Sequence, residues 1–178
     1  TANLAISISA TGKKVILVDM DLNKPTLGKI LNIHSDKGVS DFLLGNVKVQ
    51  DIIEEVPKYG NLSYISAGTI VDNPSELMLK GNVTSLISYL ESKYDMILID
   101  TSPVVLVTDA HHLSPQCDAT LYIIRHGYTP KVIVKRIDES NVINPLNNVA
   151  VIFNGVKNRG FFKSAYGYGY GYNYMYTY

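Results

Sequence analysis

The 178-residue chain is 46% hydrophobic and 18% charged, with sixteen basic residues balancing sixteen acidic ones. That composition excludes a disordered chain, and the even balance removes any overall pull toward nucleic acid or anionic lipid. No apolar run approaches the ~18 residues of a membrane-spanning helix, and the lone Cys117 excludes an internal disulfide and fits a reducing compartment.

The length is that of about one domain. Thr1 to Thr11 reads as a helix stopped by Gly12, so the chain opens inside an element and a piece upstream is expected. Val15-Ile16-Leu17-Val18 follows, a β-branched run without polar alternation. Such runs form strands covered on both faces. Met96 to Ile99, Leu121 to Ile124 and Val149 to Phe153 read the same way, and Leu62 to Ser66 is a weaker fifth. Helix-like stretches lie between them. Asp51 to Val56 is short, Ser75 to Leu79 follows Asn73-Pro74, and Val83 to Lys93 carries an apolar stripe at Val83, Leu86, Ile87 and Leu90. Thr108 to Leu113 and Lys131 to Val142 complete the set. The alternation predicts an α/β fold with a mostly parallel central sheet flanked by helices, its ligands beyond the carboxyl ends of the strands.

Two strand ends carry acids. Asp19 and Asp21 follow the first buried run, and Asp100 follows Met96-Ile97-Leu98-Ile99. A strand-end aspartate after four apolar residues is the Walker B pattern, which places a carboxylate near a phosphate-bound Mg²⁺. One carboxylate of the first pair can hold a hydrated Mg²⁺ while its neighbour accepts a proton. Asp21 capping a turn and Asp19 pairing with a lysine is the structural reading of the same residues. A phosphate cradle of the form G-x-x-x-x-G-K-[ST] does not occur in the sequence. His111 and His112 are adjacent on a helix and point apart, a poor joint metal site. Cys117 reads as a small core residue.

The chain resembles the cytoplasmic kinase domain of bacterial tyrosine kinases, in the deviant Walker P-loop group that acts in capsule and exopolysaccharide synthesis. Thr1-Ala2-Asn3-Leu4-Ala5 looks like the helix behind the family's Walker A lysine and hydroxyl. VILVDMDLNKP (15–25) looks like its Walker A′ segment, with Lys24 where arginine is common. Ser66-Ala67-Gly68 with Asn73-Pro74-Ser75-Glu76-Leu77 is similar to the family's G…NPxEL stretch. YDMILIDTSPVVLVTD (94–109) resembles Walker B and its following loop, and Asn154-Gly155-Val156 the turn that ends the sheet.

The resemblance implies an ATP- and Mg²⁺-dependent tyrosine autokinase. Its domains form rings in which each tail reaches the neighbouring active site. A transmembrane polysaccharide co-polymerase activates it, a tyrosine phosphatase reverses it, and it works at the inner face of the bacterial plasma membrane. By the same resemblance Asp19 leads as the group activating the incoming tyrosine. Asp21 holds the Mg²⁺ shell and shares the base role, Asp100 binds a water of that shell, and Asn154 contacts the adenine. The lysine and hydroxyl of Walker A are missing from these residues, so the chain as given is expected to bind ATP weakly and to be a truncated kinase domain. A partitioning or septum-positioning ATPase and a non-catalytic phospho-acceptor module are the competing readings.

Composition divides the chain into a kinase-like body, 1–156, and a basic then tyrosine-rich tail, 157–178. Tyr166, Tyr168, Tyr170, Tyr172, Tyr174, Tyr176 and Tyr178 occupy every even position of the last thirteen residues, and the stretch reads as a flexible tail and as the set of phosphorylation sites. Lys157, Arg159 and Lys163 are the only charged side chains after residue 139, so this end is +3 while the rest is −3. Three basic charges are too few for nucleic-acid stacking. Each phosphotyrosine adds about −1.5 to −2, so two cancel the basic charge. A peptide of residues 157–178 bearing four phosphates is therefore expected to bind the 1–156 body more weakly than its unmodified form at low salt, measured by anisotropy. Equal binding would rule out this electrostatic switch.

Overall fold

The structure is a computed structural model that describes residues 1–80, 82–104, 108–143 and 145–156. The tyrosine tail and its seven expected phosphorylation sites lie outside these residues. Helix α1 (Ala2–Ser9) leads into strand β1 (Val15–Asp19). Helices α2 (Leu27–Leu31) and α3 (Val39–Leu43), a 3-10 turn (Val49–Ile52) and strands β2 (Glu54–Glu55) and β3 (Leu62–Ile65) follow. Next come α4 (Pro74–Lys80), α5 (Val83–Glu91) and β4 (Met96–Asp100). The chain continues through α6 (Asp109–Leu113), β5 (Thr120–Arg125), α7 (Lys131–Lys135), α8 (Ile137–Ile143) and β6 (Val149–Asn154).

The main sheet has the order β2-β3-β1-β4, with β3, β1 and β4 parallel and β2 antiparallel at the edge. Every residue of β1 is buried. Its side chains alternate between two apolar clusters, as pleating requires. Ile16 and Val18 join Val39, Met78 and the α5 stripe of Val83, Leu86, Ile87 and Leu90. Val15 and Leu17 join Ala2 and Ala5 of α1, Leu27 of α2, and Leu62 and Tyr64 of β3. The sheet is thus sandwiched between helices, which is the α/β architecture expected from the apolar runs.

Some local expectations fail. Asp51 to Val56 is not a helix: the 3-10 turn ends at Ile52, and Glu54 and Glu55 pair with Tyr64 and Ser63. Lys131 to Val142 breaks into two short helices at Arg136, whose φ of −100° and ψ of 4° leave the helical range. Its β-branched Val132-Ile133-Val134 run is a weak helix former. Strands β5 and β6 form a separate parallel ladder rather than extending the main sheet. Leu121, Ile123, Val151 and Phe153 are accordingly exposed, although the sequence pattern predicts covered strands. Among the described residues no strand pairs with the outer edge of β4.

A loop staple fixes the carboxyl end of β3. Asp41 on α3 accepts hydrogen bonds from the Gly38 and Thr69 N–H groups at 3.0 and 3.1 Å and from the Thr69 hydroxyl at 2.8 Å. Ser40 Oγ donates to the Thr69 carbonyl at 2.8 Å. The two loops approach so closely that a Cβ on Gly38 would collide with the Ser66 carbonyl. Gly38→Ala is expected to lower stability by about 1–3 kcal/mol in chemical denaturation. Gly60→Ala, whose Cβ meets nothing within 4 Å, is expected to stay within about 0.5 kcal/mol of wild type.

Candidate functional site

The register of β1 on β4 builds the site. Val15 pairs with Met96 and, four residues on, Asp19 pairs with Asp100. In a parallel ladder paired residues face the same way, so the two carboxylates end neighbouring strands on one face of the sheet. That face is the one covered by α1, and Thr1, just ahead of α1, donates its hydroxyl to Asp100 Oδ1.

Asp19 has no exposed surface. Its Oδ1 accepts from the Asp21 N–H at 3.2 Å and its Oδ2 from the Leu27 N–H at 3.3 Å, tying the loop after β1 to the start of α2. Burial pushes its carboxyl up to about 6. The two backbone bonds oppose that shift, and the negative charges of Asp100 and Asp21 add to it. Tyr64 projects from β3 into the same buried layer. Its phenol is pushed well above the ordinary range, first by burial and then by the charge of Asp19, so it stays protonated.

Asp21 is half-buried and differently held. Its Oδ1 accepts from the Ser102 hydroxyl at 2.6 Å and from the Lys24 N–H at 3.0 Å. The Asn23 side-chain amide donates to Ser102 Oγ at 3.2 Å. The β1–β4 register explains the contact. Asp21 lies two residues beyond Asp19, Ser102 lies two beyond Asp100, and so the loops leaving both strands meet.

The structure thus brings Asp19, Asp21 and Asp100 into one neighbourhood. It does not bring Asn154 there. Asn154 ends β6 in the second ladder, is exposed, and its side chain accepts from the Gly155 N–H at 2.8 Å. Arg125, its register partner, stacks over the Tyr128 ring at 5.4 Å. His112 is exposed, and His111 is half-buried, its Nδ1 without a partner among the described residues. Cys117 is half-buried ahead of β5. A groove of about 310 Å³ beside the start of α4 is lined by Leu44, Val71, Asp72, Asn73, Glu76 and Leu77 and includes none of the sequence-predicted site residues.

Sequence reading missed the Asn23–Ser102–Asp21 chain and the charge that Asp19 places beside the packed Tyr64. Equal spacing from two strand-end aspartates was the available signal for the first. It becomes readable only once those strands are known to be neighbours in register.

The donor chemistry fits a hard cation. The three carboxylates have no Lys or Arg partner among the described residues, and hydroxyls of Thr1 and Ser102 stand beside them. Among the described residues no group of three His, Cys, Asp or Glu is close enough to cage a metal by itself. That suits Mg²⁺, which keeps several waters and is shared between one or two carboxylates and phosphate oxygens.

The chain is similar in sequence and fold to known proteins. A family model described as "AAA domain" matches residues 1–124. A putative tyrosine-protein kinase in the cps region of Klebsiella pneumoniae is 38% identical over 160 residues, covering 88% of this chain and 22% of that protein. The chain therefore spans about a fifth of that relative's length. The kinase domain of the Escherichia coli tyrosine kinase ETK superposes with a TM-score of 0.83 at 27% identity, covering 96% of this chain and 66% of that one. The septum site-determining protein MinD of Pyrococcus horikoshii, complexed with Mg-ADP, gives 0.65 at 22% identity over 85% of this chain and 62% of its own, a likeness of fold.

Because the folded carboxyl of Asp19 lies near 6 against an ordinary 3.8, its ionisation costs stability as pH rises through that window. Asp19→Asn is expected to gain stability relative to wild type between pH 4 and 6, and to show a flat difference above, in denaturant melts across pH. Asp41 titrates in the opposite sense. Burial raises its carboxyl, but the Thr69 and Gly38 donors hold it below 3.8, so its contribution is lost only at lower pH.

Proposed function

The chain belongs to the AAA domain family, and from that premise we propose that it is the catalytic part of an ATP-dependent protein-tyrosine kinase. Its substrates are the tyrosines of the tail, Tyr166, Tyr168, Tyr170, Tyr172, Tyr174, Tyr176 and Tyr178, on a neighbouring copy. The side-by-side placement of Asp19 and Asp100, with Asp21 beside them, is the observation that carries the reading. The tyrosine-kinase names of the relatives support the acceptor class.

In this reading Asp21 and Asp100 hold the hydrated shell of a Mg²⁺. When bound, that ion would supply positive charge against the negative charge that develops on the phosphate oxygens. The tyrosine oxygen forms a bond to the γ-phosphorus, the bond from that phosphorus to the β,γ-bridging oxygen breaks, and ADP leaves. The phenol proton passes to a carboxylate. The sequence favours Asp19 for that role, but Asp19 is sealed and both its oxygens accept backbone N–H groups, so we assign the proton to the half-exposed Asp21. The loose transition state asks little of a base, so a carboxylate far below tyrosine's pKa of about 10 suffices. Asp19 anchors the loop that carries Asp21. Asn154 reaches adenine only if the second ladder lines the nucleotide pocket.

We further assign the domain to the inner face of the plasma membrane, in a homo-oligomeric ring beside a transmembrane polysaccharide co-polymerase and opposed by a tyrosine phosphatase. Phosphorylation of the tails then regulates export of capsule or exopolysaccharide. The cps region in the Klebsiella relative's name supports that setting. Among the described residues no helix is long and apolar enough to cross a membrane. A lysine-bearing phosphate loop is needed for full activity and does not occur in these 178 residues, so the chain alone is expected to transfer phosphate poorly.

Intact mass with and without Mg-ATP, on a chain with such a loop restored ahead of Thr1, tests the proposal. Several phosphates are expected within Tyr166–Tyr178, with the rate lowered about 10²-fold or more by Asp21→Asn. Asp19→Asn should also lower it, through the loop. Steady ADP release without added mass would replace the kinase by an ATPase of the septum-positioning kind. Tails phosphorylated only by a second kinase would leave a phospho-acceptor module.

A further inference from the structure

We propose that Ser102 is a positioning residue for Asp21, and that its hydroxyl selects which carboxylate oxygen faces a divalent cation. The inference rests on the assignment of Asp21 to the metal shell.

Ser102 is only 3% exposed, although it sits in a loop. Its hydroxyl oxygen accepts from the Asn23 amide at 3.2 Å, which leaves its proton directed at Asp21 Oδ1, 2.6 Å away. The Lys24 N–H lands on the same oxygen at 3.0 Å. Two donors on Oδ1 fix the plane of the carboxylate. Oδ2 receives no donor from the described residues and is the oxygen free for the water shell of a cation. Hydrogen bonds to an ionised acceptor are about twice as strong as neutral ones, and a buried donor loses less to competing water. The contact also joins the loop after β1 to the loop after β4. Without the hydroxyl, Asp21 keeps only the Lys24 N–H and regains side-chain freedom.

Residues that orient metal-binding groups typically change metal affinity by 10–100-fold when removed, and an outer-shell carboxylate places Ser102 at the low end. The test uses Mn²⁺ alone as the probe, titrated into the 178-residue chain and followed by electron paramagnetic resonance. Ser102→Ala is expected to weaken Mn²⁺ binding about tenfold. Ser102→Thr, which keeps the hydroxyl, should stay within about twofold of wild type. Asp21→Asn should weaken binding at least as much as Ser102→Ala. Wild-type affinity in Ser102→Ala alongside a weakened Asp21→Asn overturns the inference and leaves the metal assignment standing. Wild-type affinity in Asp21→Asn, or no saturable signal in the wild-type chain, overturns the metal assignment and the inference with it. If Ser102→Ala lowers the unfolding temperature, Asn23→Ala probes the same hydrogen-bond chain from an exposed side chain. It should weaken binding in the same direction, and an unchanged affinity there also overturns the inference.

Discussion

The register between β1 and β4 is the constraint on which the site depends. It sets Asp19 against Asp100 and, two residues further, Asp21 against Ser102. A slip of one residue would turn every side chain of one strand to the opposite face and separate the acids. Burial enforces the register. Ile16 and Val18 fit one apolar layer, Val15 and Leu17 the other, and neither set tolerates solvent. The apolar residues of β1 therefore hold the site in place without contributing an atom to its chemistry.

The same burial creates the electrostatic problem at the strand ends. Asp19 loses water on all sides and faces two further carboxylates. The protein answers with backbone N–H groups from Asp21 and Leu27 rather than with a basic side chain. Those donors hold the loop rigid but carry no full charge. They lower the cost of the buried carboxylate without cancelling it, and its affinity for a proton stays high. Asp41 shows the contrasting solution. There a hydroxyl and two backbone donors converge on one carboxylate, and its ionised form is favoured.

The sequence makes some of this legible. Parallel strands announce themselves as unbroken apolar runs, so β1, β4, β5 and β6 are readable and β3 more faintly, and the α5 stripe follows from its helical spacing. Helices α2 and α3 and strand β2 are not, because elements of two to five residues are fixed by their neighbours rather than by local preference. The break at Arg136 hides just after a β-branched run, in a stretch whose apolar spacing still suits one helix. The covering of β5 and β6 was overestimated, since a hydrophobic run reports a need for burial and not whether a partner strand is present among the described residues. At the site, the acids are legible as strand ends. The sealing of Asp19 and the clamp on Asp21 are not, since both arise from contacts across 8 and 81 residues of chain.

These features combine into one argument about what the site accepts. Among the described residues the three carboxylates have no basic partner and form a region of negative potential, yet they do not close into a cage that would hold a bare ion. A resident protein-only metal centre is therefore a poor match. A hydrated cation that brings its own anionic phosphates suits the region better: the cation relieves the repulsion among the acids, and the phosphates supply the oxygen ligands that the protein does not. In the proposed kinase reading such a site binds a divalent cation weakly but saturably by itself and more strongly together with the nucleotide.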